Sequence, residues 1–245
     1  MIRVACVSDV HSPKFLGLFE DALGKIDSEN VDLFLFAGDM IYKGNADELN
    51  RIIKMLEENG IKFPIYSCFG NEEYENLYDR LRSIGKDKII FLEDEIVRIQ
   101  KRGKSIGIIG TKGSLAEPTW WQSKNLPRIR EIYKERIKKI EKLAGQFDTE
   151  IRILLFHYAP TYLTVVGEPK RSYPQMGTPE FEKIILNNKY KINAVFHGHA
   201  HKGKKFIFLK NRIPIYNVAL PLRKEITIVE LPKPPSRSSL LSYFK

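Results

Sequence analysis

Ile2-Arg3-Val4-Ala5-Cys6-Val7-Ser8-Asp9-Val10-His11 begins as a run of strand-forming residues and stops in an aspartate and a histidine two positions apart. The same plan recurs down the chain. Leu33 to Ala37 ends in Gly38-Asp39, Ile65 to Phe69 in Gly70-Asn71, and Ile151 to Phe156 in His157. Ile192 to Phe196 ends in His197-Gly198-His199-Ala200-His201. Apolar periodicity predicts strands at 2–8, 32–37, 64–69, 88–92, 95–100, 104–110, 151–157, 192–196, 204–209, 213–219 and 225–231. It predicts helices at 15–28, 45–59, 73–84, 127–144 and 178–189. In the helix at 127–144, Pro127 suits the first turn, Ile129, Ile132, Tyr133, Ile140, Leu143 and Ala144 share a face, and Gly145 is the stop. Early strands alternate with helices, later ones follow one another directly. That order predicts an α/β domain of two sheets packed face to face with helices outside.

The chain has 245 residues, enough for a continuous core, and no apolar run near the length of a membrane span. The first strand leads straight into Ser8-Asp9-Val10-His11, so no secretory signal is expected. Cys6 and Cys68 lie in unrelated apolar runs and are expected to be buried, reduced thiols of a cytoplasmic protein. Net charge is +10, unevenly spread: residues 1–100 carry 12 Lys+Arg against 19 Asp+Glu, and residues 101–200 carry 18 against 9. A basic second half suits an anionic partner, although a solvated basic surface gives the same count. Past Leu231, Pro232 to Ser239 reads as a linker, so the chain divides into a domain at 1–231 and a tail at 232–245.

Ligands of open α/β sheets bind at the carboxyl ends of the strands, where the predicted polar residues would converge. Imidazole nitrogens with carboxylate and amide oxygens make a mixed N/O site suited to Mn²⁺, Fe, Zn²⁺, Ni²⁺ or Co²⁺. Residues spaced by one in an extended segment, as in Asp9-x-His11 and His199-x-His201, face the same side.

Asp9-x-His11, Gly38-Asp39, Gly70-Asn71, His157 and Gly198-His199-x-His201 resemble, in order and spacing, the motifs of calcineurin-like metallophosphoesterases. The resemblance implies a four-layer α-β-β-α sandwich. It also implies a dinuclear centre, in which Asp9, His11, Asp39 and His201 hold one divalent ion, Mn²⁺ first among the candidates. Asp39, Asn71, His157 and His199 hold the other, with Asp39 bridging. In such a family two ions about 3.5–4 Å apart clamp a phosphoryl group while a bridging hydroxide attacks in line. His197 has no counterpart in the ligand set.

One position departs from the family. Its Gly-Asn-His motif is here Gly70-Asn71-Glu72, with Glu73 at the following acidic position. Glu72 thus replaces the histidine that protonates the leaving group, and an ionised carboxylate beside two cations is a poor proton donor. The substitution is least costly for good leaving groups, so the expected substrate is a phosphodiester or phosphoanhydride, nucleotide-like rather than a simple monoester. Asp39, Asn71 and Glu72 are the candidate catalytic residues.

Substrate contacts are expected from Trp120, Trp121, Arg171 and Tyr173. The tryptophans, in a loop from Ser114 to Leu126, either stack on a base or sugar or, the commoner role, pack beneath a lid. Tyr158 follows the His157 strand and joins the same group. In the tail, Leu240, Tyr243 and Phe244 resemble the peptide by which replication and repair proteins dock on the sliding clamp, with Arg237 in place of its usual glutamine. The same side chains could instead fold onto their own domain or a twin subunit. Two competing readings follow: a nuclease on DNA or RNA recruited through that tail, and an interaction module that has abandoned catalysis. The intact ligand set argues against the second.

Overall fold

The computed structural model describes residues 1–231. The clamp-like Leu240, Tyr243 and Phe244 lie outside the described residues. In chain order the elements are β1 (Ile2–Val7), α1 (Leu16–Leu23), β2 (Leu33–Ala37), α2 (Glu48–Glu58), β3 (Ile65–Cys68), α3 (Tyr78–Gly85), β4 (Ile89–Leu92), β5 (Glu95–Lys101) and β6 (Lys104–Thr111). They continue with α4 (Trp120–Asn125), α5 (Ile129–Ala144), β7 (Ile151–Phe156), α6 (Glu182–Leu186), β8 (Ala194–His197), β9 (Phe206–Leu209), β10 (Ile213–Asn217), α7 (Leu220–Arg223) and β11 (Thr227–Leu231).

The strands form two mixed sheets, ordered β11-β1-β2-β3-β4 and β5-β6-β7-β8-β10-β9. Strict alternation builds the layers. Val4 and Cys6 of β1 with Leu33, Leu35 and Ala37 of β2 face Ile106, Ile108, Ile153, Leu155 and Phe196 of the other sheet. Ala5, Val7, Phe34 and Phe36 turn the opposite way and pack on α1, α2 and α3. Ile109, Leu154, Phe156 and Val195 form the far face, covered by α5 and α6. The result is the expected four-layer α/β sandwich. Each large side chain buried this way contributes roughly 1.5–3 kcal/mol of transfer free energy. A one-residue slip of β1 would turn its inner face outward, so the register of the strand ends is fixed by the core.

Four helices differ from expectation: the one predicted at 15–28 ends at Leu23, with Gly24 as its C-cap, and three others differ for local reasons. The segment predicted as 73–84 becomes regular α-helix only at Tyr78, because Glu73 is drawn inward to accept backbone N–H groups of other loops. The segment predicted as 178–189 is a 3₁₀ turn at Pro179–Phe181 followed by the short α6; it ends where the Asn187 carboxamide accepts from the Lys189 amide, a local bond that competes with helix. At 127–144 the left-handed Arg128 caps a helix that starts at Ile129, so Pro127 falls just outside, and Ile132 is exposed. The expected loop around the tryptophans contains α4, started by a reciprocal capping box between Thr119 and Gln122.

Candidate metal centre

The predicted ligands meet where the carboxyl ends of β1, β2, β3, β7 and β8 come together across the top of both sheets. Backbone bonds join the turns that carry them: the Asp9 and His11 amides donate to the Gly38 and Asp39 carbonyls, each at 3.0 Å, and the Gly198 amide donates to the His157 carbonyl at 3.1 Å. Four of the candidate ligands sit in the left-handed backbone region, Asp9 at φ 58°, His11 at 44°, Asp39 at 54° and His199 at 67°. For residues with a Cβ this is unfavourable by about 1–2 kcal/mol apiece, a cost tolerated when the surroundings fix the conformation to aim a side chain. Gly70 is there for space. A Cβ on it would lie 2.1 Å from Asp39 Oδ1.

Two clusters of potential ligand atoms result, Asp9 with His11 and His201, and Asp39 with His157 and His199. Asp9 Oδ1 is 3.0 Å from His201 Nε2 and 3.7 Å from His11 Nε2, while Oδ2 accepts from the Ser8 hydroxyl and from the His199 amide at 3.0 Å. Asp39 Oδ1 accepts from the Glu72 amide at 2.7 Å. Its Oδ2 stands between the clusters, 3.4 Å from His157 Nε2 and 3.9 Å from His11 Nε2. Asn71 Oδ1 lies 3.0 Å from His157 Nε2.

Outer partners set the tautomers. His157 Nδ1 donates to the Ala37 carbonyl at 2.9 Å, which turns Nε2 toward Asp39 and Asn71. His199 Nε2 is 3.4 Å from the Gln175 carbonyl, and a proton held there leaves the Nδ1 lone pair for an ion. His197 Nδ1 donates to the Gly198 carbonyl at 2.8 Å; its Nε2 is buried without a partner among the described residues.

Protonation follows from the crowding. Burial pushes Asp9 and Asp39 up, but the neighbouring histidines outweigh it and hold both below the ordinary carboxylate range. Burial pulls His157 down, yet the Asp39 charge and hydrogen bond carry it up to about 9. His199 is lowered to about 4 by burial and by the charge of His157. Acidic oxygens and imidazole nitrogens at these separations, buried and facing one another, are a donor set that fits divalent ions of the borderline class. The described residues therefore offer two candidate ion sites, Asp9 with His11 and His201, and Asp39 with His157 and His199, the Asn71 carboxamide oxygen lying beside the second.

The departing motif is also placed. Glu72 Oε2 accepts from the Lys43 amide at 2.6 Å, which ties the carboxylate to the 43–44 loop. Glu73 is the residue whose role sequence reasoning missed. It is 2% exposed and its two oxygens take four backbone amides, those of Asp39, Gly70, Met40 and Ile41, at 2.7–3.2 Å. Burial, with the Asp39 charge, raises it to about 7. Glu73 thus clamps the Asp39 and Asn71 turns together.

Beside Asn71 a cleft of about 250 Å³ opens, walled by Trp121, Tyr133 and Tyr158 and including Lys112 and Arg136. The Tyr158 ring lies 4.9 Å from that of His199. The tryptophans are not packed beneath a lid, which is the commoner role: they are 73% and 59% exposed, Trp121 lining the cleft and Trp120 outside its lining, under Lys124. Tyr173 packs against Tyr162 in a small apolar cluster, and Arg171 is exposed; neither lines the cleft.

Two packed mixed sheets bearing such a strand-end cluster define a metallophosphoesterase fold. The calcineurin-like phosphoesterase family model matches residues 2–203, and the chain belongs to that family. Among solved structures it is similar to the phosphopantetheinyl hydrolase of Mycobacterium tuberculosis, with TM-score 0.69 and 14% identity over 94% of this chain and 96% of that one. It is similar to the NAD nucleotidase of Haemophilus influenzae, with TM-score 0.54 and 13% identity over 94% of this chain and 49% of that one. A putative 5′-nucleotidase of Staphylococcus aureus gives TM-score 0.53 and 14% identity over 88% and 48%. The chain spans about half the length of these two nucleotidases. No curated protein matches it. No helix among the described residues is long and apolar enough to cross a membrane.

Proposed function

We propose that the chain is a metal-dependent phosphoesterase that hydrolyses a phosphodiester or phosphoanhydride of nucleotide-like character. The observation that carries this reading is the position of Asp39 Oδ2 between His157 of one cluster and His11 of the other. An oxygen so placed suits a bridging ligand. Two divalent ions held there supply Lewis acidity for a phosphoryl oxygen and a nucleophile at neutral pH.

The chain's own residues do the rest. Asp9 and Asp39 are held as anions by the surrounding imidazoles, ready to bind cations without first losing protons. The Ala37 carbonyl keeps the His157 ring in one orientation, and Glu73 keeps the Asp39 and Asn71 turns at fixed separation. Glu72, occupied with the Lys43 amide, is not poised to hand a proton to a departing alkoxide. Reaction is then favoured for esters and anhydrides whose leaving oxygen is stable as an anion.

Purified chain with Mn²⁺ should turn over bis-4-nitrophenyl phosphate, and Asp39→Asn should lower kcat/KM on the order of 10³-fold, the loss of about 4 kcal/mol of charge stabilisation. Absence of turnover with Mn²⁺, Co²⁺, Ni²⁺ and Fe²⁺ alike, or turnover indifferent to Asp39→Asn and His199→Ala, would refute the reading.

A further inference from the structure

The cleft beside Asn71 contains a cation, Lys112, that forms no ion pair among the described residues. Arg136 is committed, its Nε 2.9 and 3.1 Å from the Asp94 carboxylate and its Nη1 donating to the Gly113 carbonyl at 3.1 Å. Lys112 is not: its ammonium sits 5.3 Å from the Tyr78 ring centre, and no carboxylate of the described residues lies within 4.0 Å. Glu75, also on the cleft, is exposed and outside that distance. Burial lowers the Lys112 pKa, opposed chiefly by the charge of Glu75. A half-buried ammonium with no carboxylate of the described residues in ion-pair contact, Glu73 and Glu75 standing farther off on the same cleft, is costly unless a ligand brings a closer anion.

The walls say what else that ligand carries. Tyr133 and Tyr158 pack together on one side and Trp121 stands at the mouth, surfaces that take a planar ring. Tyr158 also touches the His199 ring, so the cleft begins at the second cluster.

We propose, resting on the phosphoesterase reading, that the cleft receives the leaving half of a nucleotide phosphoanhydride, Lys112 pairing with its phosphate and the aromatic walls bracketing its base. In that reaction a water oxygen bonds to the phosphorus held at the strand ends, and the bond from that phosphorus to the bridging oxygen breaks. The electron pair stays on the bridging oxygen, which departs as part of a nucleoside monophosphate, and the proton of the water passes to solvent. A phosphate ester of second pKa about 6 leaves as an anion at neutral pH without being protonated. That matches a site whose leaving-group acid is replaced by Glu72 and whose cleft offers the Lys112 ammonium instead.

The test compares diadenosine 5′,5″-diphosphate, an anhydride, with bis-4-nitrophenyl phosphate, a diester lacking the second anion, on the full Mn²⁺-loaded chain. Lys112→Met should lower the ratio of the two kcat/KM values about 10- to 100-fold, the worth of a charge-assisted contact, and Lys112→Arg should restore most of it. A measurement without turnover accompanies it: with chelator present, AMP should quench tryptophan fluorescence at concentrations at least tenfold lower than adenosine, and Lys112→Met should remove that advantage. An unchanged substrate ratio in Lys112→Met, or AMP binding no tighter than adenosine, overturns the proposal. If neither substrate turns over with any metal tried, the phosphoesterase reading falls, and the AMP–adenosine comparison still decides the cleft.

Discussion

The strand-end cradle and the aromatic cleft meet at Asn71, yet opposite means build them. The cradle is held by the core: its turns are zipped by backbone bonds, four of its residues are forced into left-handed backbone, and Glu73 binds two turns with one carboxylate. The outer wall of the cleft is the short α4, the start of α5 and the segment after β6, with Trp121 and Ile132 exposed, while Asn71 and Tyr158 line its inner side. Rigid geometry serves the ions, whose ligand separations tolerate little error, and an accessible wall serves an incoming organic group. The contrast is open to direct attack.

The hardest blow to the rigid half needs one methyl group. In Gly70→Ala the new Cβ would fall 2.1 Å from Asp39 Oδ1 and 2.4 Å from the Asp39 nitrogen, so the carboxylate must move. A displacement of about 1 Å in a reacting constellation costs on the order of 10²-fold in rate. Steady-state kinetics with Mn²⁺ should show that loss, accompanied by a lowered midpoint of thermal unfolding as the Asp39 backbone gives way. Wild-type rates in the variant would mean that the turns slide freely and that the cradle is no more rigid than the cleft.

Proton competition gives a smaller but sharper signal. Without ions His157 keeps its proton up to about pH 9, because Asp39 lies beside it, whereas His199 is already neutral above about 4. An ion must displace the His157 proton, so apparent Mn²⁺ affinity should rise about tenfold per pH unit from 7 toward 9 and level off above. Calorimetry at pH 7.5 in buffers of different ionisation enthalpy should count about one proton released from His157 as the Asp39, His157 and His199 cluster fills. A flat profile would place the proton elsewhere and break the pairing of Asp39 with His157.

The two regions also differ in how far the sequence discloses them. Asp9, Asp39, Asn71, His157 and His199 each follow an apolar strand, so alternation that sets the core also sets where these side chains emerge. All eleven strand positions were legible for that reason, and the layered order with them. Glu73 was legible as a matching acidic position but not as a clamp, since Asp39, Met40 and Ile41, which donate to it, lie 32–34 residues away. Lys112, in Thr111-Lys112-Gly113, looks like any other lysine; that no carboxylate of the described residues pairs with it is decided by distant elements. The helix at Trp120 did leave a signal, the Thr119-x-x-Gln122 capping box, in a stretch too short and polar for periodicity to register.

The mildest prediction separates two adjacent residues that composition cannot tell apart. Trp121 lines the cleft, whereas Trp120, 73% exposed, carries Lys124 over its ring at 5.0 Å and lies outside that lining. Stacking of a base on an aromatic side chain is worth about 1–3 kcal/mol, and an exposed ring sits at the low end. Trp121→Ala should therefore lower kcat/KM for a substrate with an aromatic base about fivefold, mostly through KM, and Trp120→Ala should change it less than twofold. Equal losses would mean that the pair acts as a general apolar surface. A larger loss at Trp120 would move the binding wall to the other face of α4, and the cleft beside Asn71 would lose its claim to the organic half of the substrate.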